Sequence, residues 1–266
     1  MWQPKLAYMR NPRRNSGPLC HAVLITLAIA LAWPVCARPA DRASVVQLYS
    51  YTNKDRPKFE EGYRHHLEWH ARQHDQLVWY AWTIASGPRK GVFVDGTFGA
   101  TFTGLDTRPD PAGDGADFVR NAAPHVTAID VETWTLWPLP STATPLEDHR
   151  PGTAIDAFYL RVNPGDAPSF ESAVEKLALT KQGNAKLSWY RVVRGPALPI
   201  YALLLTRNTL ADIEAAGPTL TEMLARAYGM SQSRIADVLR QVQSINAETW
   251  DYEPRLALMP GQPLEP

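Results

Sequence analysis

Four of the chain's seven histidines, His65, His66, His70 and His74, fall within ten positions of the stretch EGYRHHLEWHARQH. On a helix, His66 and His70 are one turn apart, as are His70 and His74, and such pairs share a face. Two imidazoles placed that way suit two ligands of one metal ion. They equally suit a general base or a hydrogen-bond partner for a small organic ligand. All three cannot share one ion, because His66 and His74 are about 12 Å apart along a helix axis. The zinc-protease signature needs Glu directly after the first His, and Leu67 stands there. No GxSxG nucleophile, phosphate-binding loop or GxGxxG fingerprint occurs.

Stepping at 100° per residue gathers Phe59, Tyr63 and Leu67 into an apolar stripe, with His66, His70 and His74 on it. Glu60, Glu61, Arg64, His65, Glu68, Arg72 and Asp75 lie opposite. The stripe must face a sheet, and the chain writes its elements twice. Asp55-Arg56-Pro57-Lys58-Phe59-Glu60 returns as Asp166-Ala167-Pro168-Ser169-Phe170-Glu171. Leu77-Val78-Trp79-Tyr80 returns as Leu187-Ser188-Trp189-Tyr190, Gly87-Pro88 as Gly195-Pro196, and Glu132-Thr133-Trp134 as Glu248-Thr249-Trp250. The offsets are 111, 110, 108 and 116, in one order.

Each copy reads as a strand (Val45–Tyr51; Ala154–Val162), a helix started by Asp-x-Pro, two β-rich runs joined through Gly-Pro, a helical or loop region, and a last strand around Glu-Thr-Trp. That order is β-α-β-β-α-β, the ferredoxin-like unit. The second copy carries long helical patterns over Leu210–Tyr228 and Ser231–Ser244. The first has TGLDTRPDPAGDGADF at 103–118, whose Gly and Pro predict a solvated, mobile cover. Its acids, Asp106, Asp110, Asp114 and Asp117, do not fit the spacing of an EF-hand calcium loop.

The duplication supplies an internal control. At the matching offsets His66 corresponds to Leu177, His70 to Lys181 and Asp95 to Leu203. A buried imidazole needs a partner, so replacing a core leucine by histidine is unexplained by packing alone. The first copy is therefore the expected site, with His70, His66 and Asp95 as catalytic candidates. Tyr49, Tyr51, Tyr63, Trp79 and Trp82 are candidate ligand-lining aromatics. If a metal is held, the expected ligands are His66, His70 and Asp95.

Two such units in tandem resemble the dimeric α+β barrel superfamily, fused into one chain over about residues 45–255. The resemblance rests on element order, duplication and the Trp-Tyr strand. It implies an α+β fold in which two ferredoxin-like repeats, 45–140 and 154–255, form a pseudo-dimeric barrel with helices outside. Residues 141–153 are then a linker and 256–266 a tail. The family includes cofactor-free monooxygenases, haem enzymes, isomerases and proteins of unknown role, and fold does not choose among them.

The N-terminus reads as an export leader, 1–37, followed by a linker at 38–44. Lys5, Arg10, Arg13 and Arg14 precede the apolar run Ala22–Trp33, and Val35-Cys36-Ala37 offers a cleavage site. The apolar run is short for a membrane span of about 20 residues, so no stable membrane insertion is expected after cleavage. Both cysteines lie in the leader, so a periplasmic or secreted chain would have no disulfide. Beyond the leader, 23 basic residues face 27 acidic ones, which argues against a nucleic-acid partner. The expectation is an exported small-molecule-binding protein, which the resemblance extends to a cofactor-free oxygenase-like enzyme, as monomer or homodimer. A haem or divalent-metal protein using the histidine stripe is the alternative, and a non-catalytic envelope scaffold the third reading.

Overall fold

The computed structural model describes residues 44–146, 150–179, 186–195 and 197–266. The leader, most of the 38–44 linker, Lys181 and Pro196 lie outside the described residues. The described residues all belong to one compact unit, Asp41–Pro266.

The first repeat contains β1 (Val45–Asn53), α1 (Arg56–Arg72), β2 (Tyr80–Ser86), β3 (Phe93–Ala100), α2 (Phe102–Asp106), α3 (Pro111–Asn121) and β4 (Val126–Leu136). The second contains β5 (Ala154–Val162), α4 (Ala167–Ala178), β6 (Leu187–Arg194), β7 (Ile200–Arg207), α5 (Ala211–Ala216), α6 (Leu220–Tyr228), α7 (Gln232–Leu239) and β8 (Val242–Tyr252). The eight strands close into an antiparallel barrel of order β1-β3-β2-β8-β5-β7-β6-β4. Within each repeat the order is last-first-third-second, as a βαββαβ unit demands. The repeats join through β2–β8 and β4–β6. This is the architecture that the resemblance to the dimeric α+β barrel superfamily implies, closed within one chain, although β6 covers β4 only at Thr133–Leu136 and β2 covers β8 only at Thr249–Tyr252.

Strand alternation divides the side chains into two sets. Val46 and Leu48 of β1, with Trp82, Trp134, Tyr190 and Trp250, fill the barrel interior. Tyr49 and Tyr51 point the other way, toward α1, where Tyr51 packs with Phe59, Tyr63 and Phe93. The repeated Glu-Thr-Trp motif has a physical role inside the barrel. Residues two apart on a strand share a face, so the Trp134 indole donates to Glu132 Oε2 at 2.9 Å and Trp250 to Glu248 Oε2 at 2.9 Å. Arg89, from the β2–β3 turn, donates to both Glu248 oxygens (2.9 and 2.8 Å), to Ser50 Oγ (3.1 Å) and to the Tyr159 hydroxyl (2.8 Å).

Helix starts differ between the copies. Asp55 caps α1 by accepting from the Lys58 amide. Asp166 makes no such cap to α4, and its carboxylate accepts from Asn163 instead. The long helical patterns of the second copy are shorter in the structure. Gly217, at φ +114° and followed by Pro218, separates α5 from α6, and α7 ends at Leu239 before β8 begins.

The largest departure from expectation is at 103–118. This stretch is not a loop but α2 and most of α3, still largely exposed on its outer face and lying over the first repeat. Asp110 caps α3 through its side chain to the Gly113 amide at 2.9 Å, and Pro111 sits in the first turn. Gly113 tolerates this tight start because a Cβ there would meet the Asp110 carboxylate at 1.9 Å. α3 then lies against α1, with Gly62 at the closest approach. A Cβ on Gly62 would meet the Asn121 carbonyl oxygen at 2.0 Å.

Candidate functional site

α1 carries His66 and His70 one turn apart, both buried beside Tyr63 and Leu67. Their Nε2 atoms are 3.3 Å apart. Asp114, in the first turn of α3, completes a triangle. Its Oδ1 lies 3.3 Å from His66 Nε2 and 3.4 Å from His70 Nε2. Each ring is held from behind by a further carboxylate. His66 Nδ1 is 3.0 Å from Asp117 Oδ1, and His70 Nδ1 is 2.8 Å from Asp75 Oδ2. Asp75 also accepts from the Trp79 indole (2.9 Å) and the Leu77 amide (2.9 Å). These donors keep it a carboxylate and assign the proton on His70 to Nδ1. Arg108 donates to the other oxygen of Asp114 at 2.7 Å.

These contacts set the local acid–base balance. Burial alone would lower His70, but the hydrogen bonds its ring donates to Asp114 and Asp75 outweigh it and hold the imidazole at about 9. Burial pushes Asp114 up, while His66, His70 and Arg108 together hold it well below the usual carboxylate range. Asp95 goes the other way. It is enclosed on β3, so burial raises it to about 6 against the pull of Tyr63 and Tyr51. The Tyr63 hydroxyl donates to Asp95 Oδ2 at 2.6 Å, and Asp95 Oδ1 makes no hydrogen bond of normal geometry among the described residues.

A cavity of about 230 Å³ opens over this cluster. Its walls are Tyr49, Tyr51, Tyr63, Trp79, Phe118, Ile129 and Val131, and its polar groups are His66, His70, Asp95, Arg108 and Asp114. Its position follows from register. Tyr49 on β1 pairs with Asp95 on β3 and Val131 on β4, so all three side chains rise on the helix side of the sheet.

Of the residues singled out in the sequence, His66, His70, Asp95, Tyr49, Tyr51, Tyr63 and Trp79 all line this cavity. Trp82 does not. Its parity on β2 turns it into the barrel interior, against Trp250 and Phe98. The expected metal set also changes. Asp95 is engaged by Tyr63, and the carboxylate that converges on both Nε2 atoms is Asp114. His74 leaves the stripe because α1 ends at Arg72. His74 is exposed at φ +55°, and angular stepping no longer describes it. For the same reason Asp75, expected on the polar side, turns inward to His70.

Asp114, Asp117, Asp75 and Arg108 were not singled out for this site from the sequence. A signal for two of them was present. Asp110-Pro111 is a helix-start signal of the same kind as Asp55-x-Pro57, with the proline one place nearer, and Asp114 and Asp117 are then three apart on one face. The internal control holds in three dimensions. Leu177 is buried on α4 and packs with Phe170 and Val174. Leu203 pairs with Phe158 as Asp95 pairs with Tyr49.

No family model matches the chain, and no curated protein matches it. Solved structures do share its fold. A candidate monooxygenase from Fusobacterium nucleatum superposes with a TM-score of 0.55 at 10% identity, covering 80% of this chain and 93% of that one. A candidate monooxygenase from Lactobacillus acidophilus superposes with a TM-score of 0.52 at 12% identity, covering 79% of this chain and 94% of that one. At such identity the likeness establishes the fold. Among the described residues no helix is long and apolar enough to cross a membrane.

Proposed function

We propose that this protein is an exported enzyme of oxygenase type acting on a small, largely apolar organic molecule bound between α1 and the sheet of the first repeat. The observation that carries the reading is a cavity walled by aromatics, with a buried His66–His70–Asp114 cluster on one side and Asp95 with Tyr63 on the other. Ligand pockets have this composition: apolar walls and a few converging polar groups that fix orientation. The volume, about 230 Å³, is below the usual range of roughly 300–1,000 Å³ for drug-sized ligands. It suits a molecule of one or two rings. The Tyr49, Tyr51 and Trp79 faces offer stacking surfaces, and Asp95 and Tyr63 offer an acceptor and a donor for a phenol or carbonyl.

The oxygenase part of the reading is supported by the shared fold with the two candidate monooxygenases. A haem reading has less support, since the cavity is small for a porphyrin and both Nε2 atoms are directed at a common point rather than at separate ligands. The second, larger hollow, of about 560 Å³ between Arg150, Lys186, Arg207 and Arg226, lacks such a cluster. Arg207 is already paired with Asp156 and Arg226 bonds backbone carbonyls.

The test is calorimetric titration with a panel of one- and two-ring phenols, quinones and aliphatic controls. Wild-type protein is expected to bind aromatic members. Val131→Trp, which fills the cavity from the rim of β4 without touching the buried cluster, is expected to abolish that binding while leaving the melting temperature unchanged. Equal binding by this variant would refute the location, and no binding by wild-type protein would refute the reading.

A further inference from the structure

We propose that His66 Nε2, His70 Nε2 and Asp114 Oδ1 bind one divalent first-row transition-metal ion, which deepens the small-molecule reading by placing a metal at the floor of its cavity. The three atoms are 3.3, 3.3 and 3.4 Å apart. Ligand atoms at bond lengths of about 2.0–2.1 Å on a tetrahedron stand about 3.3–3.4 Å from one another. The three therefore form one face of a four-coordinate site. All three line the cavity, so the remaining coordination position opens to where a substrate or water would sit, as in catalytic rather than structural metal sites.

Hydrogen-bond chemistry leads to the same place. Both Nδ1 atoms face carboxylates, Asp117 and Asp75. This directs both Nε2 atoms and a carboxylate oxygen at one another, and without a metal the His70 Nε2–H donates to Asp114. A single proton can lie along only one edge of that triangle, whereas one cation satisfies all three. The Asp117–His66 and Asp75–His70 contacts are the outer carboxylates that orient metal-bound histidines and raise their basicity. Charge balances as well. Three buried or half-buried carboxylates, Asp75, Asp114 and Asp117, face one close guanidinium, Arg108, with Arg120 at 4.0 Å from Asp117 but largely exposed. With both imidazoles neutral, as metal ligands are, and Asp95 engaged by Tyr63, the surplus of two negative charges matches a dication taken out of water. Two imidazoles and one carboxylate favour zinc, iron, copper or nickel over magnesium or calcium, which take oxygen sets.

The experiment is metal titration of chelator-stripped full chain with Zn²⁺ in competition with a chromophoric chelator, repeated with Co²⁺ for its visible absorption. One ion per chain is expected, with the Co²⁺ bands of a four-coordinate site. Asp114→Asn, which keeps size and helix, and His70→Ala are expected to lose at least about 100-fold in affinity. Asp117→Asn and Asp75→Asn are expected to lose about 10–100-fold. His65→Gln and His74→Gln, both on the surface, are expected to change nothing. Circular dichroism and melting of each variant separate a lost ligand from a lost fold. Binding that survives Asp114→Asn in a folded protein, or that disappears with His65 or His74, would overturn the site, as would no binding at all. Val131→Trp is expected to keep the metal and lose aromatic ligands. Loss of the metal claim with aromatic binding intact would therefore leave the small-molecule reading standing, and the reverse result would remove that reading alone.

Discussion

The two repeats share one frame and spend it differently. On α4, Leu177 closes an apolar core with Phe170 and Val174; on α1 the same place is His66, bonded to Asp117 and touching Asp114. On β7, Leu203 packs under α4; on β3 the same place is Asp95, bonded to Tyr63. Position 173 is alanine, and its counterpart Gly62 is bare, which lets α3 close against α1. Polar substitution in a core is costly unless every group is partnered. The first repeat meets that condition at its two histidines by bringing in α3 and the Asp75 turn, while Asp95 keeps one oxygen without a partner among the described residues. The second has no matching set among its described residues. A duplicated fold thus lets one half keep the barrel closed while the other bears a buried polar cluster.

The comparison can be broken from the repeat-2 side. Leu177→His introduces an imidazole where the described neighbours offer apolar contacts, and it is expected to cost about 4 kcal/mol from lost burial and an unpartnered polar group. Chemical denaturation measures this, and a cost below about 1 kcal/mol would show that the second repeat tolerates a buried histidine as the first does.

Next in size is the other asymmetric residue, Arg89, whose counterpart is Ala197. Arg89→Ala removes the cationic partner of the buried Glu248 carboxylate and leaves it bonded to the Trp250 indole alone among the described residues. Breaking such a pair costs about 3 kcal/mol, measured as a lowered denaturant midpoint, while aromatic binding at the distant cavity is expected to remain.

Asp95 sharpens the contrast through pH. Its folded value is raised to about 6 from the ordinary 3.8. Below pH 3.8 the carboxyl is protonated in both states and costs nothing. As pH rises through about 6, ionisation becomes easier in the unfolded chain, and stability falls by at most about 3 kcal/mol. Asp95→Asn should therefore match wild type near pH 4 and become the more stable protein above pH 6. Urea melts at pH 4, 6 and 8 test this; a pH-independent difference would show that Asp95 is ionised in the fold.

Gly62→Ala, which copies Ala173, drives a Cβ into the Asn121 backbone and is expected to cost about 1–3 kcal/mol, the low end if α3 can shift as a unit. Its sharper signature is a weakened Zn²⁺ affinity, because pushing α3 off α1 moves Asp114 and Asp117 away from the histidines.

Much of this was legible in the chain. The duplication, the βαββαβ order, the internal control at 66/177 and 95/203, and the first-repeat aromatics all follow from spacing and alternation, which are local rules repeated along the sequence. Those rules stop at element ends and at the choice of strand face. His74 follows a helix that ends two residues earlier. Trp82 has the residue type of a pocket wall, but its strand parity turns it into the barrel. The 103–118 stretch was judged on its glycines and prolines, although Asp110-Pro111 carried a helix-start signal.

Local spacing is enough to put the chemistry-bearing residues in one repeat, because an imidazole four residues from another on an apolar stripe is a property of one helix. Which carboxylate meets them is settled by packing between helices. Asp95 and Asp114 are both acids in the right repeat, but hydrogen bonds reach only about 3 Å. Which acid comes within that distance depends on the crossing of α3 over α1 at Gly62, a contact between segments about 60 residues apart that no local pattern encodes.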